Sequence, residues 1–157
     1  MIAHAEPERY ALSADFVRLD DVVSTAALFG LLDEARHAPL LGLQPRADLK
    51  NLIVHYSPAE AEGEGLHIEA DFTALSMRPW RELPAGKGLS GHLIARPDQG
   101  YLHLDSHDAQ LDYPIMFRDH LALDRLQGDL YWRHTGAGWQ MDAPGLHVSN
   151  TDIKLDT

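Results

Sequence analysis

Through most of this chain apolar and polar residues alternate one for one. Leu66, Ile68, Ala70 and Phe72 are separated by His67, Glu69 and Asp71, a period of two that sends the two sets to opposite faces of a β-strand. Leu89, Gly91 and Leu93 keep the same beat, and Leu102 and Leu104 lie opposite His103 and Asp105. Leu130 and Trp132 alternate with Asp129, Tyr131 and Arg133, and Trp139 and Met141, Leu146 and Val148, then Ile153 and Leu155 continue the series. Earlier, Leu49, Leu52 and Val54 mark a strand ending at Ser57-Pro58, and Phe16, Val17 and Leu19 a short one within residues 11–20. Pro97-Asp98-Gln99-Gly100 and Gly136-Ala137-Gly138 read as turns, and the acidic stretch from Ala59 to Gly65 as a hairpin loop.

The period changes once. From Val22 to His37 the apolar residues Val22, Val23, Ala26, Ala27, Phe29, Leu31 and Leu32 fall at helical spacing, with Asp20 or Asp21 as the expected N-cap. Gly30 weakens this helix by about 1 kcal/mol relative to alanine, and Pro39 closes it. Beyond it no comparable helix is expected, because Arg78-Pro79 and Leu83-Pro84 interrupt any helical run. The expected fold is mainly β: an antiparallel meander with one helix near its N-terminus, comprising a strand and helix over residues 11–44 and a sheet over residues 45–157. Within that sheet a pattern recurs at an interval of 37 residues, linking Leu89 to Leu126, Leu102 to Trp139 and Leu111 to Val148. A constant interval of this size indicates consecutive supersecondary units.

One helix does not cover such a sheet. Sixteen helical residues span about 24 Å, whereas about eight strands extend over about 38 Å. Either the sheet folds on itself as a sandwich, which composition alone favours, or it curls into a trough with an open apolar lining. The second alternative leaves Leu66, Ile68, Leu102, Leu104, Leu130, Trp132, Trp139, Met141, Leu146, Val148, Ile153 and Leu155 as the lining.

Charge removes several functions. The 157 residues carry a formal net charge of −11, which disfavours nucleic acid and anionic membrane surfaces, since both are held by lysine and arginine. There is no cysteine, so disulfides and thiolate metal sites are excluded. No apolar run reaches the roughly 20 residues of a membrane-spanning helix, and the first residues lack the basic and apolar regions of a signal peptide.

Candidate chemistry is sparse. His103, Asp105 and His107 project from one strand face and include zinc-ligand types, but neither a fourth ligand nor a supporting shell is identifiable. The favoured reading makes them the solvated face opposite Leu102 and Leu104, with no metal and no cofactor. Gly86-Lys87-Gly88-Leu89-Ser90-Gly91 lacks the spacing and following helix of a phosphate loop, and no Gly-x-Ser-x-Gly elbow is present. No enzyme activity is expected.

Several segments, in order, resemble the YhdP-like proteins of the AsmA-like superfamily. They are the run from Ala70 to Trp80, Leu83-Pro84, Gly88-Leu89-Ser90-Gly91, Gly100 to Ser106, Pro114 to Phe117, Leu121 to Trp132, Gly138-Trp139 and Asn150-Thr151-Asp152. The resemblance is good over residues 45–157 and looser before them. It implies a central segment of a very long Gram-negative envelope protein, anchored in the inner membrane by a helix of the full-length parent and crossing the periplasm toward the outer membrane. It further implies a bridge-like lipid carrier, in which a curved β-groove shields phospholipid acyl chains and the acidic and histidine-bearing face is exterior. The alternative is a non-catalytic adaptor β-sandwich of an envelope protein. In either case the open edges of the sheet predict self-association.

Overall fold

The computed structural model describes residues 9–28, 41–57, 65–81, 85–112, 120–150 and 154–156, with backbone alone for 25–28 and 154–156. Among these residues the elements follow in chain order: β1 (Tyr10–Arg18), α1 (Leu19–Leu28), β2 (Arg46–Tyr56), β3 (Leu66–Met77), β4 (Ala85–Ala95), β5 (Gln99–Asp112), β6 (Leu121–Thr135), β7 (Gly138–Asp142), β8 (His147–Ser149) and β9 (Lys154–Asp156). All the strands form one antiparallel sheet in the order of the chain from β1 to β6. β7 and β8 both pair with β6, at Tyr131–Thr135 and Arg125–Gln127 respectively, and β9 extends the sheet beyond β8. The expected mainly β meander is therefore the observed fold.

The helix is placed differently from its periodicity. It begins at Leu19 rather than Val22, so Asp20 and Asp21 are not N-caps but first-turn residues, where the helix dipole favours their charge. The physical reason is that β1 runs directly into it, with no loop to carry a cap. The expected ending at Gly30 to Pro39 lies outside the described residues. A further helical turn occupies residues 41–43. Helix α1 lies against β1 and β2, at one margin of the sheet.

Alternation holds in stretches and changes phase between them. In β2, Leu49 and Leu52 are both buried while Lys50 and Asn51 between them are exposed, at a register shift between Lys50 and Ile53. Similar shifts lie between Phe72 and Leu75 and between Lys87 and Gly91. Asn51, Ala74 and Asp108 have positive φ (52°, 54° and 54°), as does Gly88 at 75°. An extra residue at each such point bends and twists its strand locally. It also lets Ser106 and Ala109 both be buried, although they differ in parity.

Ser106 shows how one irregularity is satisfied. It is fully buried among apolar residues, yet its Oγ accepts the Ser90 N–H at 2.9 Å and donates to the Ser90 carbonyl at 3.1 Å. The hydroxyl takes the place of ladder bonds lost at the β4 shift, so both backbone groups of Ser90 keep a partner.

The two units separated by 37 residues occupy consecutive hairpins. Leu89 and Leu126 lie in β4 and β6, Leu102 and Trp139 in β5 and β7. Their turns do not coincide: Ala95 pairs with Gly100 across the first, Thr135 with Gly138 across the second. The second return strand is also divided, into β7 and β8.

Candidate functional site

Antiparallel partners share a sheet face, so the register fixes which side chains lie together. One row across the sheet reads Leu12, Val54, Ile68, Ala95, Gly100, Trp132 and Met141. The next reads Ala70, Leu93, Leu102 and Leu130, followed by Leu49, Phe72, Gly91, Leu104 and Gly128. Leu126 is opposite Val148, and Val148 opposite Leu155. Of the lining residues expected from the sequence, the pairings bring Leu66, Ile68, Leu102, Leu104, Leu130, Trp132, Met141, Val148 and the Leu155 position to one face. Trp139, two residues from Met141 in β7, shares it by alternation. Leu146 packs against the same cluster as Val148, and Ile153 lies outside the described residues. Sequence reading misses Leu12 and Tyr56, whose membership follows only from the pairing of β1, β2 and β3.

Burial divides this face along the strands. Toward one end Ala47, Leu49, Phe72, Leu89, Ala109, Leu123 and Leu126 form a packed cluster, Leu123 being only 2% exposed. Toward the other, Met141 is 68%, Trp139 60% and Leu12 58% exposed, and Tyr56 and Tyr10 are exposed too. Phe16, Ile53 and Tyr131 are exposed on the other face, but the group formed by Leu12, Tyr10, Tyr56, Trp139 and Met141 at one end of this face is the kind of exposed apolar cluster that marks an interaction surface. Gly100 gives this end its shape: a side chain there would collide with the Trp132 ring, which lies across the glycine.

The opposite face is polar and internally paired. Lys50, Asp71, His92, His103 and Asp129 occupy one cross-strand row. Asp71 accepts from Asn51 Nδ2 at 2.7 Å and meets His92 Nδ1 at 2.7 Å. Asp129 accepts the Tyr101 hydroxyl at 2.9 Å and meets His103 Nδ1 at 2.8 Å. The hydrogen bonds from Asn51 and then His92 hold the Asp71 carboxyl below its ordinary range, and those from His103 and then Tyr101 do so for Asp129. The bond to Asp129 raises the Tyr101 hydroxyl.

The histidine and aspartate trio of β5 does not converge. His103 is committed to Asp129, while His107 Nε2 is 3.9 Å from Asp105. Among the described residues no three histidine or acidic side chains are arranged to hold a metal ion. The glycine-rich run from Gly86 to Gly91 is part of β4 and forms no loop around a phosphate.

A depressed carboxylate contributes stability above its unfolded pKa, and that contribution is lost as pH falls through the folded value. The Asp71 and Asp129 contributions are therefore complete at neutral pH and decline below about pH 4. The expected result is a urea midpoint difference between the wild type and an Asp71→Asn, Asp129→Asn variant that narrows as pH falls below about 4. Because both carboxyls are solvent-accessible, the difference is small.

No helix among the described residues is long and apolar enough to cross a membrane. The chain is 25% identical over 119 residues to a protein of Escherichia coli (strain K12) named intermembrane phospholipid transporter YhdP. That match covers 73% of this chain and 9% of the relative's length, so the chain spans a small part of it. No solved structure matches. A family model described as YhdP protein matches residues 1–157, and the chain belongs to that family.

Proposed function

We propose that this chain is one segment of a periplasmic conduit for phospholipids, and that its apolar face shields acyl chains between the inner and outer membranes. The observation that carries the reading is the single sheet whose apolar side continues from strand to strand and stays exposed at Leu12, Tyr56, Trp139 and Met141. Transfer of an acyl chain from water gains about 0.8 kcal/mol per CH₂. A continuous apolar surface is therefore sufficient to hold lipid, and the role is non-catalytic. The row of carboxylates and imidazoles on the reverse face keeps that side in water. In the full-length parent, an inner-membrane anchor holds one end of the conduit and further sheet extends the surface.

The twelve lining residues expected from the sequence are assigned this role together with Leu12 and Tyr56. Leu102, Leu104 and Leu130 carry the surface from the packed end to the open one. The adaptor alternative rests on a closed sandwich, and the exposure of Leu12, Tyr56, Trp139 and Met141 supports the open reading instead. Organic extraction of the purified chain followed by phospholipid analysis tests the proposal. Phospholipid retained at a constant ratio to protein is the expected result; protein free of phospholipid after purification without detergent contradicts it.

A further inference from the structure

At the open end of the sheet the polar face forms a cleft of about 860 Å³. Arg96, just beyond β4, and Arg133 of β6 both line it, with Tyr101, Tyr131, Gln140 and Asp142, and the lining extends to Trp132 and Met141. Each arginine is oriented through its Nε. Arg133 donates to Gln140 Oε1 at 3.0 Å, and Arg96 to His67 Nδ1 at 3.4 Å. Among the described residues neither guanidinium has a carboxylate within 4 Å, and Asp142 has no cation within that distance. Two cations and one anion among the described residues thus border one cleft without a direct ion pair.

That arrangement matches a zwitterion. A guanidinium pair presents forked donors suited to phosphate oxygens. Tyr131 lies directly opposite Asp142 across β6 and β7, and its ring is 5.0 Å from that of Tyr101. A carboxylate beside the exposed Tyr131 ring suits an ammonium group. We infer that this cleft binds a phosphate ester carrying an amine, the chemistry shared by a zwitterionic phospholipid headgroup and a free phosphoethanolamine. The inference deepens the lipid-conduit reading and rests on it for the lipid source. β7 connects the two surfaces: Met141 faces the apolar side while Gln140 and Asp142 face the cleft. A lipid whose acyl chain lies along Trp132 and Met141 reaches the cleft around the β7 edge.

The test is an NMR titration of the full chain with O-phosphoethanolamine, inorganic phosphate, dioctanoyl phosphatidylethanolamine and laurate. Phosphoethanolamine and the phospholipid are expected to shift Arg96, Tyr101, Tyr131 and Arg133. An Arg96→Gln, Arg133→Gln variant binds both at least about tenfold more weakly, the loss of one charge-assisted bond or more, while laurate still shifts Leu12, Tyr56 and Trp139. Asp142→Asn weakens phosphoethanolamine and leaves inorganic phosphate unchanged. Unmoved cleft resonances in the wild type, or equal binding by the double variant, overturn the inference. Equal effects of Asp142→Asn on the two small ligands overturn the assignment of the ammonium. Laurate binding without headgroup binding defeats this site alone. Binding of phosphoethanolamine without laurate or phospholipid defeats the conduit and assigns the cleft to the free ester.

Discussion

Phe72→Ala is expected to destabilise the chain by about 3–5 kcal/mol, the range for emptying a buried aromatic position. Phe72 is 4% exposed and lies opposite Leu49 on one side and Gly91 on the other. Its ring occupies the space that Gly91, without a side chain, leaves above β4: a Cβ at Gly91 would come within 3.0 Å of Phe72 Cζ. Truncation opens a cavity at this point that the neighbouring strands are unable to close, because their separation is fixed by the ladder. A second substitution does not refill it either. An alanine at Gly91 would drive its Cβ into the His103 carbonyl oxygen, which is backbone of β5. Against a typical total of about 5–15 kcal/mol, the loss is a substantial fraction of the fold's stability. Urea unfolding followed by circular dichroism measures it. A change below about 1 kcal/mol would mean that this part of the apolar face has no packed interior.

Charging the open end gives the opposite combination, a fold retained and a ligand lost. Trp139 and Met141 are already in water at 60% and 68% exposure, so replacing both with glutamate removes little packing. Substitutions at such exposed positions usually change stability by less than about 0.5 kcal/mol. An acyl chain on this surface meets a different situation, because its contact would force two carboxylates out of water without a partner. The expected outcome for Trp139→Glu with Met141→Glu is an unchanged circular dichroism spectrum and phospholipid content reduced at least about tenfold. Full retention of lipid by a folded double variant would place the acyl chain elsewhere.

The fold is legible in the sequence where alternation is unbroken. Leu66 to Phe72 and Leu102 to Leu104 carry their faces in the sequence itself, and local period is sufficient to orient them. It is less legible wherever a bulge shifts the phase. Asn51 and Asp108 belong to residue types that tolerate positive φ, but Ala74 does not, and nothing in its neighbours marks it. The start of α1 escapes sequence reading because β1 passes into the helix without the polar break that normally marks a cap. The candidate site follows the same division. The lining residues of β3, β5 and β6 are readable from alternation alone. Leu12 and Tyr56 join them only through register, a property of paired strands rather than of either one. The cleft with Arg96 and Arg133 is not legible, since its residues come from strand ends that meet only after the hairpins form.

Which face meets the acyl chain is the central question, and adjacent residues of β5 answer it directly. Leu102 and His103 are consecutive in sequence and lie on opposite sides of the sheet, so a photoreactive amino acid at one or the other samples the two faces at the same depth. After irradiation in a suspension of bacterial phospholipid, mass spectrometry of the intact chain counts covalent lipid adducts. A conduit lined by the apolar face gives adducts from position 102 and none above background from position 103. Equal labelling at both positions, or labelling from position 103 alone, would contradict it.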